Sequence, residues 1–284
     1  MLSFSLDIPA LATKQLLDYD RHRPGCLFAG YSIPMTVDDA YTLQTAVADL
    51  RVERGEAIAG YKVGCVSPLI QVQLELDRPV FGYVFGSEIY NSGVLLDPNE
   101  FDGLAIEGEL AVRIAADIPD AEWVRNHPDE LISAGFAVIE LHNYVFRNAR
   151  HTAQELIGNN AIHAGVVLPM TEPALNDPSE LVNTSLQVFL NGTPLATATG
   201  GMLPGGPFGS LVRLAEHLQV CGRTLRRNDL VLTGSPLPLY RVSGGARIEV
   251  ICSRSETVVA MVLERGDELA ARHAPAQNVN YGGV

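Results

Sequence analysis

With 284 residues, of which 47% are apolar, the chain can bury a sizeable hydrophobic core and is expected to be globular. Its net charge of −13 argues against a nucleic-acid partner, because phosphate contacts require clustered Lys and Arg. No apolar run approaches membrane-spanning length, and the four cysteines form no Cys-x-x-Cys pair, which predicts reduced thiols. We therefore expect a cytoplasmic protein that has neither a nucleic-acid nor a membrane partner.

Helical signals dominate the beginning of the chain. Asp7, followed two residues later by a proline, is typical of a helix start. Thr36 and Asp39 have the spacing of a capping box, and apolar residues then recur at helical intervals. After these helices the pattern changes to short β-rich segments separated by Gly, Pro, Asn and Asp. The sequence thus predicts a helical N-terminal cap over residues 1–59 and a β-rich catalytic domain over residues 60–284.

Two charged residues follow closely after the proposed boundary. Lys62 lies in a short apolar strand, where its ammonium group must either reach water or meet an anion. Asp77 lies in a Leu-Asp-Arg-Pro run and would by itself be a turn residue. Of the two, only Lys62 is a candidate functional residue on local pattern alone.

Carboxylates mark two strand-like stretches in the middle of the chain. Glu107 and Glu109 share one face of the first strand, because side chains alternate along a strand. Glu140 lies in an apolar run, where an unpaired carboxylate is costly to bury. Three carboxylates suit a hard divalent cation, and if held close together at least one should have a raised pKa. The alternative is a pair of surface glutamates, and His142 could contact the metal or be an ordinary core or surface histidine.

Local patterns predict further elements in the rest of the chain. Residues 128–134 have the composition of a short helix that leads into the Glu140 strand. Asn191-Gly192 between two strand-like runs predicts a β-hairpin, since both residues tolerate positive φ. Residues 209–220 place apolar residues on one helical face. The glycine-rich stretch 200–207 matches no phosphate-binding or dinucleotide fingerprint.

Six short segments occur in the order seen in the fumarylacetoacetate hydrolase superfamily. Between Val37 and Leu263 the chain resembles the hydratase/decarboxylase branch of that superfamily. The segments are Gly60-Tyr61-Lys62-Val63-Gly64, Leu76-Asp77-Arg78-Pro79-Val80-Phe81-Gly82, Ile106-Glu107-Gly108-Glu109, Ile139-Glu140, Asn160-Ala161 and Leu232-Thr233-Gly234-Ser235. The resemblance implies an α+β fold, a mixed and curled β-sheet roll with a helical N-terminal cap. It also implies a homo-oligomer, either a dimer or a larger ring.

The same resemblance implies a set of site residues and a cofactor. The cofactor would be Mg²⁺ or Mn²⁺, and the expected partner is a small 2-oxo acid. The implied metal ligands are Glu107, Glu109 and Glu140; the implied catalytic residues are Lys62 and Asp77; the implied substrate-binding residues are Ser67, Asn160, Thr233 and Ser235.

The implied reaction is the addition of water to 2-hydroxypenta-2,4-dienoate (2-oxopent-4-enoate), which gives 4-hydroxy-2-oxopentanoate in aromatic catabolism. Three alternatives stay open: decarboxylation of the 4-oxalocrotonate type, carbon–carbon bond hydrolysis of the acylpyruvate type, and non-catalytic binding of a small acid. The family's Gly-Leu-Thr-Ser is Gly64-Cys65-Val66-Ser67 here, and its Gly-His-Pro is Gly205-Gly206-Pro207. These departures affect pocket-lining positions, so the substrate is less well determined than the metal.

Overall fold

The computed structural model describes residues 6–29, 33–146 and 151–264. The α-helices of these residues are α1 (Ile8–Asp20), α2 (Val37–Glu53), α3 (Pro68–Gln73), α4 (Ala121–Asn126), α5 (Ala153–Gly158) and α6 (Gly206–Val220). No helix in the described ranges is long and apolar enough to cross a membrane.

The two N-terminal helices begin at the residues that the sequence indicates. The Asp7 side chain accepts a hydrogen bond from the amide of Ala10, which satisfies one free N–H of the first turn of α1. At the start of α2, Thr36 accepts from the Asp39 amide and the Asp39 carboxylate accepts from the Thr36 amide, which forms the predicted capping box. Apolar residues of both helices pack in one cluster with Phe28 and with α5.

Strands form two sheets. They are β1 (Ile58–Gly64), β2 (Val80–Phe85), β3 (Ile89–Asn91), β4 (Val94–Leu96), β5 (Leu104–Ile114), β6 (Ile132–Asn143), β7 (His163–Leu168), β8 (Ser185–Leu190), β9 (Thr193–Thr199), β10 (Leu230–Leu232), β11 (Tyr240–Arg241), β12 (Arg247–Cys252) and β13 (Val258–Val262). The larger sheet has the order β2-β1-β10-β5-β6-β7-β3, with β11 paired to part of β5. The smaller sheet has the order β4-β13-β12-β8-β9.

The larger sheet is mixed and curled. Strand β1 pairs with β10 in parallel and with β2 in antiparallel orientation. Two strands, β10 and β5, separate β1 from β6 in the sheet order, yet Lys62 of β1 lies 3.0 Å from Glu140 of β6, measured from Nζ to Oε1. Because neighbouring strands lie about 4.8 Å apart, only a strongly curved sheet, with Lys62 reaching across its concave face, allows this contact. The predicted α+β fold with a curled mixed sheet is therefore confirmed.

The smaller sheet packs against the outer face of β5 at Gly108, the residue between the two glutamates. A Cβ atom at this position would lie 2.5 Å from Cγ2 of Val188 on β8, and 3.3 Å from Cγ2 of Val250 on β12. A larger side chain would therefore push the two sheets apart. The Glu-Gly-Glu pattern thus combines two polar groups on the inner face with a close sheet-to-sheet contact on the outer face.

Three local predictions have different outcomes. The hairpin is confirmed, since Asn191 and Gly192 have φ values of 52° and 75° between β8 and β9. The helix predicted over 209–220 is α6, which begins three residues earlier. The helix predicted over 128–134 is wrong, because a short 3₁₀ turn is followed by β6, whose pairing with β5 overrides the local pattern.

The proposed domain boundary stays a prediction. It falls inside β1, which begins at Ile58. The last part of the proposed catalytic domain, residues 265–284, lies outside the described residues.

Candidate metal and substrate site

The pairing of β5 with β6 brings the acidic residues together. In the antiparallel register Glu107 lies directly opposite Glu140, and Glu109 lies two residues further along β5. Because side chains alternate between the faces of a strand, the three carboxylates share one face of the sheet. Glu109 and Glu140 are 1% and 0% exposed, and Glu107 is partly exposed.

His142 joins this group of carboxylates. Its Nε2 lies 3.3 Å from Oε2 of Glu107 and 3.6 Å from Oε2 of Glu140. One ligand atom from each of these three residues lies within 4.8 Å of the others. The imidazole is buried, and neither ring nitrogen forms a hydrogen bond within the described ranges. This geometry favours a role at the acidic group over the ordinary core or surface histidine that the sequence left open.

Lys62 and His163 hold the other oxygen of Glu140. Besides the Lys62 contact at 3.0 Å, Nδ1 of His163 lies 2.7 Å from Oε1 of Glu140. Lys62 also donates a hydrogen bond of 3.1 Å to the carbonyl oxygen of Ala161. The Lys62 side chain is 3% exposed and therefore cannot reach water, so Glu140 is the anion that a buried lysine requires.

The buried carboxylates differ in their pKa values. Burial, followed by the charges of Glu140 and Glu107, raises the pKa of Glu109 well above its usual range. Burial acts in the same direction on Glu140, but Lys62, His142 and His163 outweigh it and lower the pKa of Glu140 well below its usual range. The expected group with a raised pKa is therefore Glu109. Its Oε2 lies 3.1 Å from the amide of Gly234, which donates to it.

This donor set fits a divalent cation. Oε2 of Glu140 is buried and has no hydrogen-bond partner among the described residues. An unsatisfied buried oxygen beside a second carboxylate and an imidazole is an arrangement that a metal ion would complete. Glu107, Glu140 and His142 are the closest group, and Glu109 is adjacent to Glu140 on the same face.

A cavity of about 590 Å³ opens beside these residues and is here called the main cavity because it adjoins the acidic group; another described cavity, lined by residues of α2 and α6, is slightly larger at about 630 Å³. Lys62, Glu107 and His142 contribute to its lining. Other parts of the lining come from the segment around α3, from the start of β2, from the chain near Tyr144 and His151, from α5 and the turn after it, and from the loops after β9 and β10. Cavities of about 300–1,000 Å³ with a few polar groups are typical of small-molecule sites.

The residues expected to bind substrate fall into two groups. Ser67 and Ser235 line the main cavity. Thr233 is fully buried and donates a 2.7 Å hydrogen bond from its hydroxyl to the carbonyl oxygen of Leu110. The Asn160 amide donates to and accepts from the backbone of Tyr83 at 2.8 Å, as a neighbouring strand would. The Thr233 and Asn160 side chains therefore form hydrogen bonds to the backbone of neighbouring segments. This geometry does not support their predicted contact with substrate.

Asp77 lies away from the acidic group. Its side chain is 82% exposed and forms an ion pair with Arg78, with 3.1 Å between Oδ1 and Nε. It is not among the residues that line the main cavity. The structure thus does not bring Asp77 together with Lys62, and its catalytic role stays a prediction.

Sequence reasoning missed the residues behind Glu140. Nε2 of His163 lies 3.9 Å from Oε2 of Glu88, and Oε1 of Glu88 accepts hydrogen bonds from the Tyr19 hydroxyl and, at 2.7 Å, from Arg51. Arg51 lies on α2 and Tyr19 on α1, so this buried polar network connects the N-terminal helices to the acidic group. The sequence did contain a signal for His163, because it is a polar residue at the start of an apolar run, just as Glu140 is an acidic residue inside one.

Comparisons with known proteins give related sequences and related folds. No protein-family model matches the chain. A 2-keto-4-pentenoate hydratase of Burkholderia vietnamiensis is 31% identical over 206 residues, which cover 72% of this chain and 77% of the relative.

Two solved structures illustrate the likeness in fold. The 4-oxalocrotonate decarboxylase of Pseudomonas putida G7, complexed with magnesium and adipate, superposes with a TM-score of 0.80 at 21% identity, covering 90% of this chain and 97% of that one. The fumarylpyruvate hydrolase of Pseudomonas aeruginosa, in complex with Mn²⁺ and pyruvate, has a TM-score of 0.55 at 16% identity. The superposition covers 72% of this chain and 88% of that one. Both sequence identities are low, so these two structures show a likeness in fold alone.

Proposed function

Because this chain belongs to the hydratase/decarboxylase branch of the fumarylacetoacetate hydrolase superfamily, we propose that it is a divalent-metal-dependent lyase of small 2-hydroxydienoic or 2-oxo acids. The proposed reaction adds water to a 2-hydroxy-2,4-dienoate, of which 2-hydroxypenta-2,4-dienoate is the simplest example. The proposal rests on one observation. The buried ion pair of Lys62 and Glu140 lies next to Glu107 and His142, and this group of residues borders the main cavity.

Glu107, Glu140 and His142, with Glu109 beside them, would hold Mg²⁺ or Mn²⁺. The bound ion would supply Lewis-acid stabilisation of negative charge on the oxygen atoms of the substrate. Glu109 has to give up its proton before it can act as a ligand, because ligating carboxylates are deprotonated. Lys62 and His163 fix the Glu140 carboxylate by bonding to Oε1, which leaves Oε2 free to face the cation.

Lys62 is the group best placed to act on the substrate anion. Its ammonium has three N–H bonds, of which one is directed to Oε1 of Glu140 and one to the Ala161 carbonyl. The third is available for a substrate carboxylate or enolate oxygen in the main cavity, where Lys62 would hold the anion or transfer a proton from Nζ. Asp77 would have to leave its exposed position to take part, so the geometry supports Lys62 over Asp77.

The proposed metal dependence can be tested with purified protein freed of metal by chelation. We expect 2-hydroxypenta-2,4-dienoate to be converted to 4-hydroxy-2-oxopentanoate after Mg²⁺ or Mn²⁺ is restored, and turnover to be lost without metal, because carboxylate ligands suit hard cations. Product analysis by mass spectrometry and elemental analysis of the protein provide the measurement. Full activity in protein that contains no metal would contradict the proposal.

The same assay separates the alternatives. Release of carbon dioxide from 4-oxalocrotonate without water addition would identify a decarboxylase. Cleavage of an acylpyruvate would identify a carbon–carbon bond hydrolase. Metal-dependent binding of these acids without any turnover would identify a non-catalytic relative. The homo-oligomeric state and the cytoplasmic location stay proposals that rest on the resemblance and on composition.

A further inference from the structure

Glu88 lies at the ring nitrogen of His163 that does not contact Glu140. Nδ1 of His163 is 2.7 Å from Oε1 of Glu140, and Nε2 is 3.9 Å from Oε2 of Glu88, which is within ion-pair distance. All three side chains are buried. The imidazole of His163 therefore has a buried carboxylate at each of its two nitrogen atoms.

Donors from three segments hold Glu88 in place. Its Oε1 accepts hydrogen bonds from the Tyr19 hydroxyl and, at 2.7 Å, from Nη1 of Arg51. Its Oε2 accepts a hydrogen bond of 3.2 Å from the Phe85 amide. Burial, followed by the charge of Glu88, raises the pKa of Tyr19 well above its usual range, so the hydroxyl keeps its proton and stays a donor. Glu88 is thus fixed at both oxygens by α1, α2 and the end of β2.

The orientation of the His163 ring affects how Glu140 presents its oxygen atoms. Oε1 of Glu140 accepts from Nδ1 of His163 and contacts Lys62, so Oε2 is the oxygen left to face a cation. An imidazole held at one nitrogen can still turn about that contact, whereas polar contacts at both nitrogens leave a single orientation. Removing a group that orients a metal ligand typically lowers metal affinity by about 10- to 100-fold. A group that fixes His163 therefore acts on the metal site.

Resting on the proposed function, we propose that Glu88 is a positioning residue for the metal site and acts through His163. Glu88 orients the imidazole, the imidazole holds Oε1 of Glu140, and Oε2 of Glu140 is thereby directed toward the cation. Because Tyr19 and Arg51 belong to α1 and α2, the N-terminal helices contribute to metal affinity, although the proposed ligands lie on β5 and β6. If Glu88 only caps the turn after β2, metal affinity does not depend on it.

Glu56 provides a matched control, because it shares Arg51 with Glu88. Both oxygens of its carboxylate lie 3.1 Å from Nε of Arg51, and the carboxylate also accepts from Arg54 and Ser87. Within the described part of the chain its ion pairs are with the two arginines, and none is with His163. The loss of either carboxylate disturbs Arg51, so an effect that is confined to the Glu88 variant identifies the contact with His163 as its cause.

The first test measures Mn²⁺ binding to the metal-free protein by calorimetry, without substrate. We expect Glu88→Gln to weaken binding by about tenfold or more, and Glu56→Gln to leave it within about twofold of the wild type. In a His163→Asn background, Glu88→Gln should have no further effect, because a residue that acts through another cannot act in its absence. Unchanged affinity in Glu88→Gln, or an equal loss in Glu56→Gln, would overturn the proposal.

Tyr19→Phe is a milder variant that decides the question if Glu88→Gln does not fold by circular dichroism. It removes one donor to Glu88 and keeps the aromatic ring, which lies 4.8 Å from the guanidinium of Arg51. We expect Mn²⁺ affinity to fall by about threefold, since one hydrogen bond to a charged group is lost. An affinity equal to that of the wild type would exclude a contribution of α1 to the metal site.

A second measurement requires neither metal nor turnover. In metal-free protein with isotopically labelled histidine, the Nδ1–H proton of His163 should give a downfield magnetic resonance that is missing in His163→Asn, because it is hydrogen bonded to a carboxylate. We expect this resonance to shift in Glu88→Gln and to stay in place in Glu56→Gln. This result in a wild type that bound no Mn²⁺ would contradict the proposed function alone and leave the orienting role of Glu88 intact. An identical resonance in Glu88→Gln and the wild type would overturn that role.

Discussion

Replacing Glu140 by glutamine is expected to abolish metal-induced stabilisation and to lower the free energy of unfolding of the metal-free protein by about 3–5 kcal/mol. The second effect arises because Lys62 would stay buried without its counter-charge, at a site where the two groups are 3% and 0% exposed. Thermal or denaturant unfolding with and without Mn²⁺ measures both effects. In the wild type, metal at a hundredfold excess over its dissociation constant should add about 2.7 kcal/mol.

Glu109→Gln is the matched control for this experiment. Repulsion between the carboxylates suggests that removing any one of them would stabilise the metal-free protein. The raised pKa of Glu109 means that the fold disfavours a charge there, whereas the lowered pKa of Glu140 means that the fold stabilises its charge. Only Glu109→Gln should therefore leave the metal-free protein as stable as the wild type or more stable. Both variants should weaken metal binding. Equal metal-induced shifts in the wild type and in Glu140→Gln would show that Glu140 is not a ligand.

The two pKa shifts also predict opposite effects of pH on the stability of the metal-free protein. The pKa of Glu140 is lowered in the folded state, so its contribution is fully present above about pH 4.3, the usual glutamate pKa, and is lost as pH falls. The pKa of Glu109 is raised, so its contribution becomes unfavourable as pH rises above about 4.3 toward its folded pKa. Unfolding curves of Glu109→Gln should therefore lack the decline in stability with rising pH that Glu109 causes.

Lys62→Met is expected to lower kcat/KM by about 10²–10³-fold, because the loss of one preorganised donor to a developing anion in a buried site has an effect of about this size. The same change leaves Glu140 without its cation and should lower the stability of the metal-free protein, while bound metal should restore part of it by supplying positive charge. Steady-state kinetics with 2-hydroxypenta-2,4-dienoate and thermal unfolding with and without Mg²⁺ measure these effects.

The chain offers a convenient control for the lysine experiment. Lys14 is the only other lysine in the sequence, and its exposed ion pair with Asp18 on α1 is of a kind that contributes little stability. Lys14→Met should leave both kinetics and unfolding unchanged. If Lys62→Met retained the catalytic efficiency of the wild type, Lys62 would have a structural role only, and the proposed contact with the substrate anion would be wrong.

The sequence predicted the parts of the molecule whose signals are local. The capping box at Thr36 and the turn at Asn191-Gly192 depend on neighbouring residues, and both appear where they were expected. The alternation of Glu107 and Glu109 follows from strand geometry alone. Local signals failed over 128–134, because the start of β6 is determined by its pairing with β5 and not by its own composition.

Contacts between residues that are far apart in the sequence could be identified only from the tertiary structure. The pairing of Lys62 with Glu140 depends on the curl of the larger sheet, and no pattern within either strand specifies it. The supporting contacts of His163 and Glu88 join segments that are far apart in the chain, so their importance was missed. The exposure of Asp77 likewise depends on how its segment lies on the fold.

By itself, then, the sequence determined the helical start of the chain, the alternation of polar and apolar faces in its strands, and the presence of three carboxylates, Glu107, Glu109 and Glu140, of a type that suits a hard cation. These features depend on backbone geometry and side-chain chemistry within a few residues. Only the tertiary structure decided which carboxylate is stabilised as an anion, that His142 joins the acidic group, and that the main cavity opens beside that group. Those properties depend on burial and on charges brought close by the folding of separate segments, and electrostatic effects in a protein interior vary with both.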